Sequence, residues 1–362
     1  MNRLFRWDQM GLFLLALAAG ILPFAVPEVC AAALREGLTL CSGPLLLSLF
    51  PFLVVSRLLI QCPESDLLAL PFRLAAWGIG IRTPCAARVL CIGFLGGFAP
   101  AASAAAQAVR TGQLTAEEAD ALLPACICSG PSFVVLTVGQ SLLGSAELGV
   151  LLFASQITAN YLTAALLNRF AGVRSVKPGS AAPAFPAPPR LDEILADAAI
   201  TYCKLCGFIL FFRLLAAGAG ALLPAGAGTL CAVLLEVCSG CDLAAKSGRF
   251  ASMLCCAALS VQGLSVLMQV RTICPPEMTL RPLYRARLLH LPLSLLIFYL
   301  LLPQRAQETF SSLCGRVTTM RRLPPDCALL VFLGCCFVVC ELSRVLAKEL
   351  NQTQRDKVAN QS

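Results

Sequence analysis

Charge is scarce in this chain. Of its 362 residues only 13% are Asp, Glu, Lys or Arg, about half the share of an average soluble domain. There is one histidine, His290, which excludes a His-rich metal site, and aromatic residues make up only 7%. No basic stripe interleaved with aromatics is present, so the usual footprint of nucleic-acid binding is missing. The chain also lacks a P-loop, a Cys/His zinc signature and a Ser/His/Asp set. Phosphoryl, acyl or metal chemistry therefore has no visible machinery. The expectation is a protein that is not an enzyme, holds no metal or cofactor and does not bind nucleic acid.

Apolar residues account for 58% of the chain, and the mean hydropathy is +0.78. A water-soluble core cannot absorb that much apolar surface, whereas a bilayer-spanning helix needs about 20 such residues. Uncharged runs near this length occur at Met10–Pro27, Gly37–Ser56, Val89–Val109, Ala121–Ala146, Leu148–Asn168, Leu214–Leu235, Phe250–Val270 and Leu288–Gln304. A shorter run, Cys327–Cys340, is extended by Glu341–Leu346. The pattern predicts an all-α polytopic membrane protein of about eight transmembrane helices, with the lipid bilayer as its first partner. The first run ends in Pro-Phe-Ala-Val-Pro-Glu without a small-x-small cleavage site, so it reads as an uncleaved helix. Many of the 20 cysteines fall inside these runs, where Cys serves as a small polarisable apolar residue. The pairs Cys203/Cys206 and Cys238/Cys241 read as structural. His290 reads as an interfacial residue at the start of an apolar helix.

Two of the runs hold helix breakers: Gly93, Gly96, Gly97 and Pro100 in one, Pro124, Gly130 and Pro131 in the other. Backbone groups freed inside hydrocarbon must be met by protein or by a wet cavity. Charge parity gives these breaks a topological meaning. Arg3 and Arg6 place the N-terminus inside, with Glu28, Arg35 and Glu36 in an outer loop and Arg57, Arg73, Arg82 and Arg88 inside. Three full crossings after Arg88 would put the basic loop at Arg169, Arg174, Lys177 and Arg190 outside. Two crossings and one re-entrant hairpin put it inside, so either Val89–Val109 or Ala121–Ala146 is expected to dip in and return. Between them, Thr115-Ala-Glu-Glu118 is a capping box that opens a short polar helix, read as a solvated connector. Leu67–Ile81, with Arg73 and Trp77, reads as interfacial.

Residues 173–190, rich in Pro and Ala, read as an extended linker. The expected organisation is a first helix and outer loop (1–36), a first membrane half (37–170), the linker (171–190), a second half (191–303), a loop and last helix (304–347) and a polar tail (348–362). The halves echo each other. Phe52-Leu-Val-Val-Ser-Arg57-Leu-Leu matches Phe208-Ile-Leu-Phe-Phe-Arg213-Leu-Leu, and Cys-Ser-Gly recurs at Cys41, Cys128 and Cys238. Transporters commonly place their site between such repeats.

Gly93-Phe-Leu-Gly-Gly-Phe98, Arg110-Thr-Gly-Gln-Leu-Thr-Ala-Glu-Glu-Ala119 and Cys128-Ser-Gly-Pro-Ser-Phe133 resemble motifs of the YlbJ-type sporulation integral membrane proteins. In order follow Leu235-Glu-Val-Cys-Ser-Gly240, Gly263-Leu-Ser-Val-Leu-Met-Gln-Val270 and Ala286-Arg-Leu-Leu-His290. That family carries a nucleoside-recognition Gate domain. The chain departs from its pattern at Ala99, Ala101, Ser103, Cys128 and Leu267. The resemblance implies a multi-pass protein of the cell membrane of a spore-forming bacterium, acting in spore maturation such as cortex assembly, with other sporulation membrane proteins as partners.

The residues themselves supply a candidate activity, movement of a small solute through a gate, and the resemblance implies a nucleoside as an example of that solute. Its first wall is Gly93, Gly96, Gly97, Phe98, Pro100, Ser103 and Gln107 with Ser129, Gly130 and Pro131. The facing wall is Glu236, Ser239, Gly240, Ser265 and Gln269. Glu236 is the sharpest of these, because an acid inside an apolar run is a functional hypothesis by default. Its bland alternative is a reach to the interface or a pair with Arg213. The alternatives to a sporulation transporter are a scaffold that keeps the fold without transport, and a metabolite transporter unrelated to sporulation.

Overall fold

The computed structural model describes residues 7–62, 65–172 and 190–302. The expectations for residues 173–189 and 303–362, which cover most of the linker, the last helix and the tail, lie outside these residues. Every element among the described residues is a helix: α1 Trp7–Ala25, α2 Pro27–Ser42, α3 Pro44–Gln61, α4 Ser65–Leu68, α5 Leu70–Gly78, α6 Pro84–Gly96, α7 Phe98–Arg110 and α8 Ala116–Cys126. There follow a wide π-type helix at Ser132–Leu142, α9 Ala146–Ala171, α10 Leu191–Leu222, α11 Ala225–Leu235, α12 Val237–Ala245, a short 3₁₀ turn at Gly248–Phe250, α13 Ala251–Val261, α14 Gly263–Ile273 and α15 Arg281–Leu301. Five segments are long and apolar enough to cross a membrane: Pro27–Leu47, Ala146–Ala171, Leu191–Leu222, Gly248–Ile273 and Arg281–Leu301. Helices suit this composition because each satisfies its own backbone hydrogen bonds without water.

Several expectations need correction. The outer loop expected around Glu28 to Glu36 is helix α2. Pro27 occupies its first turn, where a missing N–H costs nothing, and an Ala-rich stretch follows. Gly37–Ser56 is divided at Gly43, because Pro44 starts α3. His290 stands in the middle of α15, fully buried, since the helix begins nine residues earlier at Arg281. The capping box is formed as expected, but the connector is not solvated. Glu118 is buried and accepts a 2.6 Å hydrogen bond from the Thr83 hydroxyl. Asp120 is buried as well, and accepts from the Thr279 hydroxyl (2.6 Å), the Thr279 amide (2.8 Å) and the Leu280 amide (3.1 Å). The acids that looked like a solvated face are staples: Glu118 ties this helix to the start of α6, and Asp120 ties it to the turn ahead of α15. In the stretch expected to be interfacial, Leu67, Leu74 and Trp77 are exposed on α4 and α5.

Two stretches fold back on themselves. α6 and α7 have 13 residues each, about 20 Å of helix, too short to cross about 30 Å of hydrocarbon. They form a hairpin with Gly97 at the tip, where φ is +81° and ψ −161°, a region open in practice only to glycine. A Cβ on Gly93 would stand 3.2 Å from the Ala101 Cβ, and one on Gly96 would stand 2.8 Å from the Pro100 ring. α7 is buried on all sides, with Ala99, Ala101, Ala102, Ala104, Ala105, Ala106 and Ala108 fully covered. Small side chains are what permit such close helix approach. α11 and α12 form the second hairpin, with Glu236 at its tip and Gly240 against Val233.

A broken helix follows each hairpin. α8 stops at Cys126, and the chain runs irregularly through residues 127–130 before it turns helical again. α13 stops at Val261, and α14 starts at Gly263 after Gln262, a left-handed residue at φ 62°. Long helices close the two series. α9 and α15 pack antiparallel, as the pairs Asn160–Arg287 and Gln156–His290 show. α3 and α10 also run antiparallel, as the pairs Phe50–Tyr202 and Arg57–Asp197 show.

Candidate functional site

The hairpin tips and the helix breaks meet. A Cβ on Gly97 would lie 2.6 Å from the Gly130 nitrogen, so the first tip sits on the first break. A Cβ on Gly263 would lie 2.9 Å from the Glu236 nitrogen, so the second tip sits on the second break. Between these junctions is a cavity of about 40 Å³, lined by Gly96, Phe98, Ser129, Gly130, Glu236 and Gln269 together with Leu45, Leu49 and Ile209. Six of the residues singled out from the sequence thus share one space. It has room for a few water molecules and is closed to a nucleoside.

Two further cavities flank it. One, of about 190 Å³, is predominantly polar and shares Gln269 with the centre; Ser103, Arg57 and Lys204 are in its wall. The other, of about 370 Å³, shares Phe133 and Cys238 with the centre and reaches Arg35, Glu36, Arg213 and Asp242. The two arginines of the sequence echo, Arg57 and Arg213, therefore stand in opposite flanking cavities. Each is ion-paired: Arg57 with Asp197 at 2.7 Å, and Arg213 with Glu36 at 2.8 Å and Asp242 at 3.0 Å.

Glu236 has a defined task. It ends α11 and caps α12, only 1% exposed. Oε1 accepts from the Cys238 amide at 2.8 Å, and Oε2 accepts from the Ser239 amide at 2.7 Å and the Ser239 hydroxyl at 2.9 Å. A carboxylate there meets orphan helix donors and the positive end of the helix dipole. The alternative pairing with Arg213 is replaced by this cap. Ser239 belongs to the same cap, and Gly240 gives the hairpin its close approach. Ser265 is buried and its hydroxyl accepts from the Gln269 amide at 2.9 Å, which leaves the Gln269 Oε1 without a partner. Gly93 and Pro100 pack inside the first hairpin. Pro131 directly precedes the π-type helix. Gln107 is half-buried near the end of α7, its carbonyl taken by the Thr111 hydroxyl.

A buried polar seam escaped the sequence reading. The Asn160 amide donates to the Ile127 carbonyl, the first of the break, at 3.2 Å, and its oxygen accepts from Arg287 at 3.0 Å. Gln156 donates to the Ser260 hydroxyl at 3.0 Å; Ser260 and Ser294 are hydrogen-bonded at 2.5 Å; and His290 Nε2 meets the Gln156 carbonyl at 3.2 Å. Asn168 donates to the carbonyls of Ile79 and Ala121. The signal was present in the spacing. Gln156, Asn160 and Asn168 recur at multiples of four along α9, and Arg287, His290 and Ser294 at intervals of three and four along α15, spacings that bring helix residues toward one side.

Compared with known proteins, the chain matches no family model, no curated protein and no solved structure.

Proposed function

We propose that the chain is a polytopic membrane protein in which two inverted units form a gate for a small solute. The observation that carries this reading is the meeting of two hairpin tips and two helix breaks around one small cavity, with a larger cavity on either side. Each unit is a helix, a hairpin, a broken helix and a long closing helix: α3 through α9, then α10 through α15. Antiparallel packing of α3 on α10 and of α9 on α15 supports inversion, the plan by which transporters alternate access around a midplane site. The first hairpin, 84–110, supplies the re-entrant element that charge parity calls for, while α8 and the π-type helix cross together. The 40 Å³ centre then corresponds to a closed gate, to be opened by movement of a tip from its break.

The resemblance to the YlbJ-type proteins adds a setting, endospore formation, and a candidate solute class, nucleosides. A non-transporting scaffold is the second reading, favoured by the fact that Glu236 is fully engaged in its cap. Purified protein in liposomes distinguishes the two. The gate reading expects saturable flux of at least one member of a broad metabolite panel, and flux of none is the scaffold's result. A deletion strain scored for heat-resistant spores tests the setting, with normal spores as the contrary outcome.

A further inference from the structure

The polar flanking cavity carries an uneven charge. Arg57 from α3, Arg110 from α7 and Lys204 from α10 face it, with Asp197 as the one acid in its wall, a formal balance of 3 − 1 = +2. Asp197 is bound to Arg57. The nearest partner of the Arg110 guanidinium is the Ile273 carbonyl at 3.4 Å, and Arg110 is close enough for its charge to be felt at Arg57. Lys204 has no ion-pair partner among the described residues. Two buried polar atoms in the wall are unpartnered, Nε of Arg57 and Oε1 of Gln269. The opposite cavity is balanced, Arg35 and Arg213 against Glu36 and Asp242.

Like charges converging on a concave wall raise the local concentration of counter-ions, and guanidinium groups suit carboxylate and phosphate oxygens. We propose that this cavity binds a small solute carrying a carboxylate or phosphate group. Arg57, Arg110 and Lys204 are its charge partners, and Ser103 and Gln269 meet its hydroxyl groups. At about 190 Å³ the space lies below the usual range for drug-sized ligands, so the ligand is small. The role of the site in transport rests on the gate reading; binding itself does not.

The test is the thermal unfolding midpoint of the full chain in phosphatidylcholine nanodiscs, titrated with inorganic phosphate or succinate at constant ionic strength against chloride. The expected result is saturable stabilisation by at least one anion, with affinity weakened about tenfold in Lys204→Gln and in Arg110→Gln and unchanged in Lys246→Gln. No saturable stabilisation, or equal affinity in all three variants, overturns the proposal. Nanodiscs containing phosphatidylglycerol separate the sources of the anionic group. Displacement of the soluble anion there assigns the site to a lipid headgroup, and undiminished binding assigns it to a solute. Anion binding without flux sinks the gate reading and leaves the site standing. Flux of neutral solutes without anion binding does the reverse.

Discussion

Replacing Glu236 with Gln tests the second hairpin tip at a single atom. The carboxylate accepts three hydrogen bonds at 2.7–2.9 Å in a place 1% exposed to solvent. The substitution turns one acceptor oxygen into an NH₂ donor that faces another donor. If the amide oxygen keeps both Ser239 bonds, the Cys238 N–H is left buried and unsatisfied, a cost of about 1–3 kcal/mol. The remaining bonds lose their charge assistance, and the helix loses an anion at its N-terminus, which adds roughly 1 kcal/mol. The expected destabilisation is about 2–4 kcal/mol by denaturant titration in detergent micelles. The local readout is hydrogen exchange followed by mass spectrometry. The amides of Cys238 and Ser239 should exchange on the order of 30- to 1,000-fold faster, the same free energy expressed as a ratio. Glu28→Gln, at an exposed first turn of α2, should change stability by less than about 0.5 kcal/mol. Exchange at 238 and 239 that is unchanged in Glu236→Gln would refute the cap and return Glu236 to the list of free intramembrane acids.

Three other substitutions probe the frame around the gate. Gly97→Ala combines a φ of +81° with a Cβ 2.6 Å from the Gly130 nitrogen, so it should cost about 2–4 kcal/mol and slow any flux more than it lowers expression. Asn160→Leu strands the Ile127 carbonyl and one Arg287 N–H; a loss of about 2–4 kcal/mol is expected, and a change under about 0.5 kcal/mol would show the seam to be ornamental. Asp120→Ala removes three bonds to residues 279–280 and should free that turn to limited proteolysis while costing about 2–3 kcal/mol, measured by the same denaturant titration.

The first hairpin was legible because its breakers are glycine and proline, which announce themselves in an apolar run. Gln262 was not, since glutamine has no such reputation; only its left-handed backbone beside Gly263 makes the second break. Glu236 was recognised as unusual, but besides the Ser239 hydroxyl its partners are backbone amides two and three residues on, which no side-chain inventory reveals. The arginine echo falls on α3 and α10 and both arginines are ion-paired, but Arg57 stands one turn from the end of α3 whereas Arg213 lies nine residues inside the end of α10. The Cys-Ser-Gly echo does not fall on matching elements, because its three copies lie at the α2–α3 junction, at the first break and inside α12. A triplet of small residues has many packing uses, whereas a buried arginine in an apolar helix needs a specific acid. The solvated-connector reading of Glu118 and Asp120 failed for the same reason: charge in a short polar helix says nothing about which partners tertiary packing brings to it.

The central claim of the gate reading is that the two flanking cavities open from the centre toward opposite faces of the membrane. Thr201 lies in the wall with Arg57, and Thr137 in the wall with Arg213. Thr201→Cys and Thr137→Cys, exposed in turn to a membrane-impermeant maleimide on right-side-out and inside-out vesicles and read by peptide mass spectrometry, measure this directly. The account predicts that each cysteine is modified from one side and that the two sides differ. Modification of both from the same side would contradict the inverted arrangement and the gate built on it.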